Sequence, residues 1–441
     1  MTEDVIRDGM KPRGIANQSQ VSCHLTCALQ MLIHVTPLLR DVLIEFWRCN
    51  ENGSGYLIEM GNFFANAIKE DQEALDPSII YDSIEEVISI NSNELGDAVL
   101  ALRRIVKAIR RDFAEMDLIS DLMEDLFDGM LVQEIVGIKD NAQRIKSSAR
   151  RLTFPLALAG NFSSLEEALR HATINPIHPI KSYKWGETGN YTESEVHTIE
   201  LLSCSDKSTI VNGWTTFKRL RLQRVPQFLF LHLQRFSMVD GCMKQTNEIM
   251  DVPLSLDISP YCDLLSANES SMYYLCGAIL HVLDLKEEEG EENGHYVSIA
   301  LAEDTWYFID DEKVVSLENK EEKMLELLSG RTFNFAHLDN YRFTTVLATY
   351  CCHDKKYLND EFFNKLRREF VRKNTQDNDE KPITLWDETL VGRRLRVRWS
   401  KGKFYSGIIS KYDETTGKHT IEYDDGDIRE YKLSKKTIAW E

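Results

Sequence analysis

Three side chains in this sequence could together carry out nucleophilic acyl transfer. Cys23 stands just after a polar loop, Asn17 to Ser22, and opens a stretch of helical period that runs to about Val35. A thiol becomes a nucleophile when ionised, and a helix N-terminus favours the thiolate through its dipole and free N–H groups. Gly294-His295-Tyr296 follows an acidic loop, Glu287 to Asn293, and opens a strand, which would hold an imidazole rigidly as general base. Fifteen positions further on, Asp310 closes the partner strand of the same hairpin, where a carboxylate would fix the tautomer and steady the imidazolium. Each residue alone has an ordinary structural reading. A helix-start cysteine more often packs, most of the 11 histidines serve structure, and the acidic loop reads as a solvated surface. The three in this order are far more specific than any one.

The elements that must position them follow from apolar periodicity. Leu95, Ala98, Val99, Leu102, Ile105, Val106, Ile109 and Phe113 recur at three- and four-residue steps, predicting a helix over about 94–113 capped by Ser92 or Asn93. Ser120 to Phe127 reads as a short helix stopped by Gly129, so the first third is mainly helical. The character changes near Pro226. Val225 to Phe236 and Tyr273 to Leu285 are nearly continuous apolar runs of strand length, as buried strands should be. Tyr296 to Leu301 and Trp306 to Ile309, joined by a short connection, predict a hairpin. Lys355 to Lys373 predicts a charged helix, and Asn374 to Pro382 a linker.

Composition narrows the function classes. The net charge of -19 argues against a general nucleic-acid binder and against anionic membranes as partners, although solubility alone accounts for it. Neither a signal sequence nor an apolar run of transmembrane length is present. The nine cysteines are scattered and none forms a C-x-x-C pair, so no metal or other cofactor is expected. A reducing compartment, nucleus or cytoplasm, is the expectation.

Gly14 to Gln30 (GIANQSQVSCHLTCALQ) resembles the cysteine box of the ubiquitin-specific proteases. VPQFLFLHLQRF resembles a strand of the same family, and YLCGAILH, NGHYVSIA and WYFIDDEKV its histidine box, in order. SSLEEALRHA, PLSLDISPY and NELGDAVLALRRI resemble three further segments, so the likeness spans about Gly14 to Tyr350. The resemblance implies an α+β, papain-like fold with a helical thumb and a β-rich palm and fingers. It implies Cys23 as nucleophile, His295 as general base, Asp310 as orienting acid and Asp311 as a supporting carboxylate. Ubiquitin joined to another protein would be the substrate. The family's oxyanion donor matches Asn17, but one extra residue precedes the cysteine, which puts Gln18 at the usual offset and Gln20 nearby. Where the family often carries zinc pairs, around 137–148 and 202–209, only Cys204 is found, so a zinc-free finger is expected. Cys27, one turn from Cys23, reads as a packing residue.

The last stretch differs. Leu385 to Glu441 holds 12 Lys and Arg against 10 Asp and Glu, while the rest carries all the acidity. Its short strands and glycine turns predict a barrel of about five strands. The patterns from Trp399 to Gly407 and from Tyr423 to Asp427 resemble a Tudor domain, a small SH3-like barrel. That resemblance implies an aromatic cage for methyl-lysine or methyl-arginine, with Trp399, Tyr405 and Tyr423 at matching positions and Asp425 as an acidic wall. Packing of the barrel is the equal alternative for these aromatics. The expected layout is a catalytic domain over 1–353, a helix and linker over 354–384 and a Tudor-like barrel over 385–441. The leading expectation is a deubiquitinating isopeptidase targeted by the small module. The alternative is a catalytically weak or inactive adaptor joining ubiquitin to a methylated protein.

Overall fold

In the computed structural model the periodic first third forms α1 (Cys23–Gln30), α2 (Pro37–Cys49), α3 (Tyr56–Ala67), α4 (Ser78–Ile88), α5 (Ala98–Asp112) and α6 (Asp117–Phe127). The structure describes residues 11 to 440 except 18–19, 52, 54, 70–72, 91, 93, 95, 140–141, 153, 174–177, 181–183, 187–191, 196–209, 212, 240–241, 246–248, 263–270, 286–293, 303, 353–359, 377–389, 399–403, 414, 434–435 and 437. Two compact units are formed, Met1–Glu369 and Phe370–Glu441.

Every residue of α1 is buried. Its polar members must therefore find partners inside the protein. The Thr26 hydroxyl lies 2.9 Å from the Cys23 carbonyl, Gln30 donates to the Arg13 carbonyl at 2.8 Å, and His24 Nδ1 lies 3.1 Å from the Val21 carbonyl. A π-helical turn, Met31–Val35, extends α1, and Pro37 restarts the chain as α2 at an angle of 95°. The α5 helix buries the expected face but begins later than its periodicity suggested. The cap is Asp97, not Ser92 or Asn93, and its Oδ1 accepts from the Leu100 N–H at 2.6 Å. Aspartate and serine cap about equally well, but Ser92 is engaged elsewhere, its N–H donating to Glu85 Oε1 at 2.6 Å, and Gly96 resists helix. Asn93 lies outside the described residues. The α6 helix starts at Asp117 rather than Ser120, with an acidic residue in its first turn.

An eight-stranded sheet carries the core of the first unit. Its order is Lys313–Ser316, Thr305–Asp310, His295–Ala302, Met272–Asp284, Tyr341–Cys351, Phe228–Gln234, Leu156–Ala159, with Ser255–Asp257 beside Met272–Asp284. Only the last-named neighbours in this order, Phe228–Gln234 and Leu156–Ala159, run parallel. Both apolar runs and the hairpin expected from the sequence are present, with Leu231, Leu280, Val297, Ile299 and Phe308 in one core. The α1 helix packs on the His295–Ala302 strand and on α5. Helices α7 (Leu165–Thr173) and α8 (Glu321–Ser329) complete this layer.

A second sheet is built on Met130–Lys139, flanked by Ala142–Arg151 and Trp214–Arg224. Across it Trp185 donates to the Thr216 hydroxyl at 2.9 Å and lies tilted by 41° against Trp214 with centroids 5.9 Å apart. The Arg144 guanidinium sits 4.6 Å over the Trp214 ring. Cys204 lies outside the described residues, as does the acidic loop.

Helix α9 (Asp360–Gln376) runs beyond the expected end at Lys373 into the first residues of the expected linker. Its Arg367 is paired with Glu45 of α2 at 2.7 Å. In the second unit five antiparallel strands lie in the order Ile428–Tyr431, Lys418–Tyr423, Phe404–Asp413, Arg394–Arg398, Ile438–Trp440. They enclose Leu390, Leu395, Val397, Ile409, Ile421, Tyr423 and Leu433. Among the described residues no single helix is long and apolar enough to cross a membrane.

Candidate active site

Cys23 is the first residue of α1 and is only 3% exposed. The loop ahead of it is braced by Asn17. The Asn17 Oδ1 accepts from the Ser22 N–H at 3.2 Å and its hydroxyl at 2.7 Å, while Nδ2 donates to Asp311 Oδ2 at 2.7 Å. This segment is stitched to the 311–312 turn by its backbone. The Ile15 N–H donates to the Asp311 carbonyl at 2.9 Å, and a Cβ on Gly14 would lie 2.3 Å from the Glu312 carbonyl oxygen. Only glycine allows that approach. Gln20 bends the loop with φ 58°. Gln18 lies outside the described residues.

His295 begins the strand that packs on α1. Its Nε2 donates to Asp310 Oδ1 at 2.6 Å, and the Cys23 thiol is a neighbour that also favours its charged form. With Nε2 committed to the carboxylate, Nδ1 is left for the thiol. Asp310 and Lys313 are the last pair of their hairpin, so Asp311 and Glu312 form the turn. Asp311 has φ 49°, in the left-handed region that aspartate tolerates. Asp311 Oδ2 comes to 3.9 Å from the same His295 nitrogen, and its Oδ1 accepts from Thr26 at 2.8 Å. The structure thus brings Cys23, His295, Asp310, Asp311 and Asn17 together.

The electrostatics follow from burial and pairing. Burial opposes a charge on His295, but the hydrogen bond to Asp310 and the influence of Cys23 outweigh that, and its pKa is pushed up from 6.5 to about 10. Burial also works against ionisation of Asp310, yet the two imidazoles bonded to it, His295 and His337, hold its carboxyl below the usual range. Asp311 goes the other way. Its burial, helped by the neighbouring Asp310 charge, raises it despite the bonds from Asn17 and Thr26. Two adjacent carboxyls are therefore driven apart. Burial pushes the Cys27 thiol well up, with Cys23 and the two aspartates adding to it and Ser298 only partly offsetting it. Cys27 is thus a buried neutral thiol.

Some participants carried no sequence signal. His337 reaches Asp310 across 27 residues. Thr26 links α1 to Asp311 but reads as one more helix residue. His281 touches Gly294, and a Cβ on that glycine would lie 1.7 Å from His281 Nε2. The presence of a glycine immediately before His295 was the one available hint.

A protein-family model for ubiquitin carboxyl-terminal hydrolase matches residues 13–338. The chain belongs to that family. The hydrolase family likeness includes ubiquitin carboxyl-terminal hydrolase 16 of Arabidopsis thaliana, 25% identical over 322 residues, which are 69% of this chain and 29% of that protein. A separate local likeness, 41% over 59 residues, is to the DNA mismatch repair protein MSH6 of the same organism and spans 13% of this chain and 4% of that protein. The chain therefore covers well under two thirds of either relative. Among solved structures it resembles the SAGA Ubp8/Sgf11/Sus1/Sgf73 DUB module bound to ubiquitin aldehyde. The TM-score is 0.55 at 16% identity, over 78% of this chain and 70% of that chain. At that identity the likeness is one of fold. The mixed helix-and-sheet architecture of a ubiquitin carboxyl-terminal hydrolase is thus the architecture of the first unit.

In the second unit Tyr405 is exposed, and so is Asp425, which accepts from the Asp427 N–H at 3.1 Å. Tyr423 belongs to the core at 4% exposure, its hydroxyl 3.4 Å from that of Tyr431. Trp399 lies outside the described residues.

Two outcomes follow. The proton on His295 favours the folded state, because its folded pKa of about 10 exceeds the ordinary 6.5. That contribution is complete below the lower value and is lost as pH rises through the upper one. Across this window the melting temperature of the wild type should fall more steeply than that of His295→Gln; parallel curves would exclude the raised pKa. Gly294→Ala must displace either His281 or His295. It should weaken or abolish the downfield proton resonance of the His295–Asp310 hydrogen bond, and an unchanged resonance would show the contact relieved elsewhere.

Proposed function

We propose that this chain is a cysteine-type ubiquitinyl hydrolase that cleaves amide bonds at the C-terminus of ubiquitin. The observation that carries the reading is the His295–Asp310 hydrogen bond beside Cys23 at the start of a buried helix, in a member of the ubiquitin carboxyl-terminal hydrolase family. The Cys23 thiolate attacks the carbonyl carbon of ubiquitin's terminal glycine. His295 gives its proton to the leaving lysine amine, and a water deprotonated by His295 then releases the acyl group and restores the thiol. Asp310 holds the imidazole tautomer through these steps. The developing oxyanion is met by first-turn N–H groups of α1, which helix geometry leaves without intrahelical acceptors. Asn17 supports this: an amide has two N–H bonds, and only one is used on Asp311. Asp311, tied to both Asn17 and Thr26, keeps that amide aimed.

The same proposal assigns the second unit a targeting role. Its five strands, near-neutral charge and aromatic Tyr405 support a Tudor-like module. Trp399, Tyr405 and Asp425 would meet a methyl-lysine or methyl-arginine side chain, with Tyr423 backing them from the core. Such a protein would work in the nucleus or cytoplasm, with ubiquitinated and methylated proteins as partners.

The test is labelling with a ubiquitin probe bearing a thiol-reactive C-terminal warhead under reducing conditions. Wild type should form an adduct that Cys23→Ser loses and Cys27→Ser keeps. No adduct from folded wild type would reject the enzyme and favour the ubiquitin-binding adaptor. For the module, a panel of methylated histone peptides should bind the full chain and bind Trp399→Ala at least tenfold more weakly; no binding by wild type to any peptide sinks the targeting role.

A further inference from the structure

We infer that His337 is a positioning residue for the acyl-transfer site, clamping one oxygen of Asp310 so that the other stays on His295. This rests on the function proposed above. Asp310 has two carboxylate oxygens and each is held by a different imidazole. Oδ1 accepts from His295 Nε2 at 2.6 Å and Oδ2 from His337 Nε2 at 2.5 Å. A carboxylate held at one oxygen can pivot about its Cβ–Cγ bond, and each pivot would swing the acceptor away from His295. A second donor on the other oxygen removes that freedom. His337 gains and loses no proton in the reaction; it donates the same hydrogen bond throughout. The groups around the carboxylate are His295, His337 and Asp311, and Cys23 lies beyond the His295 ring.

The placement of His337 is specified by its surroundings. Two short strands, Asn334–Phe335 and Leu338–Asp339, pair with each other and leave Ala336 and His337 as a two-residue turn. Ala336 has φ 56°, a left-handed conformation uncommon for a residue with a Cβ. Phe335 packs edge-on against Phe308 with centroids 5.0 Å apart, and Phe308 lies two residues before Asp310 on its strand. Leu338 joins the same core. Asn334 Oδ1 accepts from the Asn340 N–H at 2.7 Å, closing the hairpin's base. The turn is thus anchored on both sides of the histidine and to the strand that carries Asp310.

The experiment compares wild type, His337→Ala and His337→Gln in three measurements: kcat and KM on a ubiquitin C-terminal amide, the rate of Cys23 alkylation by chloroacetamide, and melting temperature. His337→Ala should lower kcat about tenfold with KM unchanged, as expected for the loss of one hydrogen bond to a charged group, and should slow alkylation in parallel. His337→Gln, whose Nε2–H can reach the same oxygen, should recover most of both. Unchanged kcat and alkylation in His337→Ala would overturn the inference. Equal impairment of both variants with lowered melting temperature would also overturn it, leaving only a packing role. A wild type alkylated at Cys23 but inert toward the ubiquitin amide, with alkylation slowed in His337→Ala alone, would remove the ubiquitin reading and uphold the clamp.

Discussion

In an extended strand the side chains of residues 310 and 311 would face opposite sides of the sheet. The positive φ of Asp311 breaks that alternation and turns both carboxylates toward His295. Most of the site's order depends on this reversal. Asp310 faces the imidazoles, and Asp311 faces α1 and the loop before it. One backbone turn thereby joins His295 to the segment that precedes Cys23. The Gly14 contact with Glu312 and the Ile15 bond to Asp311 fix the turn from its other side.

The charges gathered here are stable only as a group. Asp310 is 7% exposed and gains from two imidazoles, whereas Asp311 is bonded mainly to neutral donors and is raised. Taking one partner from a buried ionised group leaves the others uncompensated, which costs more than the lost bond itself. The neighbouring His281 shows the opposite solution. Burial and the charge of His295 hold it neutral, with its pKa lowered to about 4. Ionised and neutral histidines thus stand side by side, the first held by its bond to Asp310 and the second kept neutral by burial and its neighbour's charge.

Local pattern made much of this legible. The helix of Cys23, the hairpin of His295 and Asp310 and the apolar strands of the main sheet all follow from period and turn chemistry. The junctions do not. Asn17 could be located from its place before Cys23, but its bond to Asp311 spans 294 residues and no local rule contains it. His337 sits in a short hairpin whose reason for existing is an aromatic contact with Phe308. The cap of α5 was misplaced because several polar residues compete there and only the tertiary setting chooses Asp97. In the second unit the strand count was readable. Whether a tyrosine faces core or solvent depends on strand register, and Tyr423 pairs with Gly407 so that its ring fills the interior.

The complete burial of α1 has a consequence for how this protein would fail. A helix with a solvent face can loosen or tilt by itself, but one enclosed on all sides moves only when its neighbours do. The thiol at its tip therefore shares the cooperativity of the whole first unit. Heat or denaturant would not loosen the setting of the thiol by degrees; it would stay intact until the core opened, and then be lost at once.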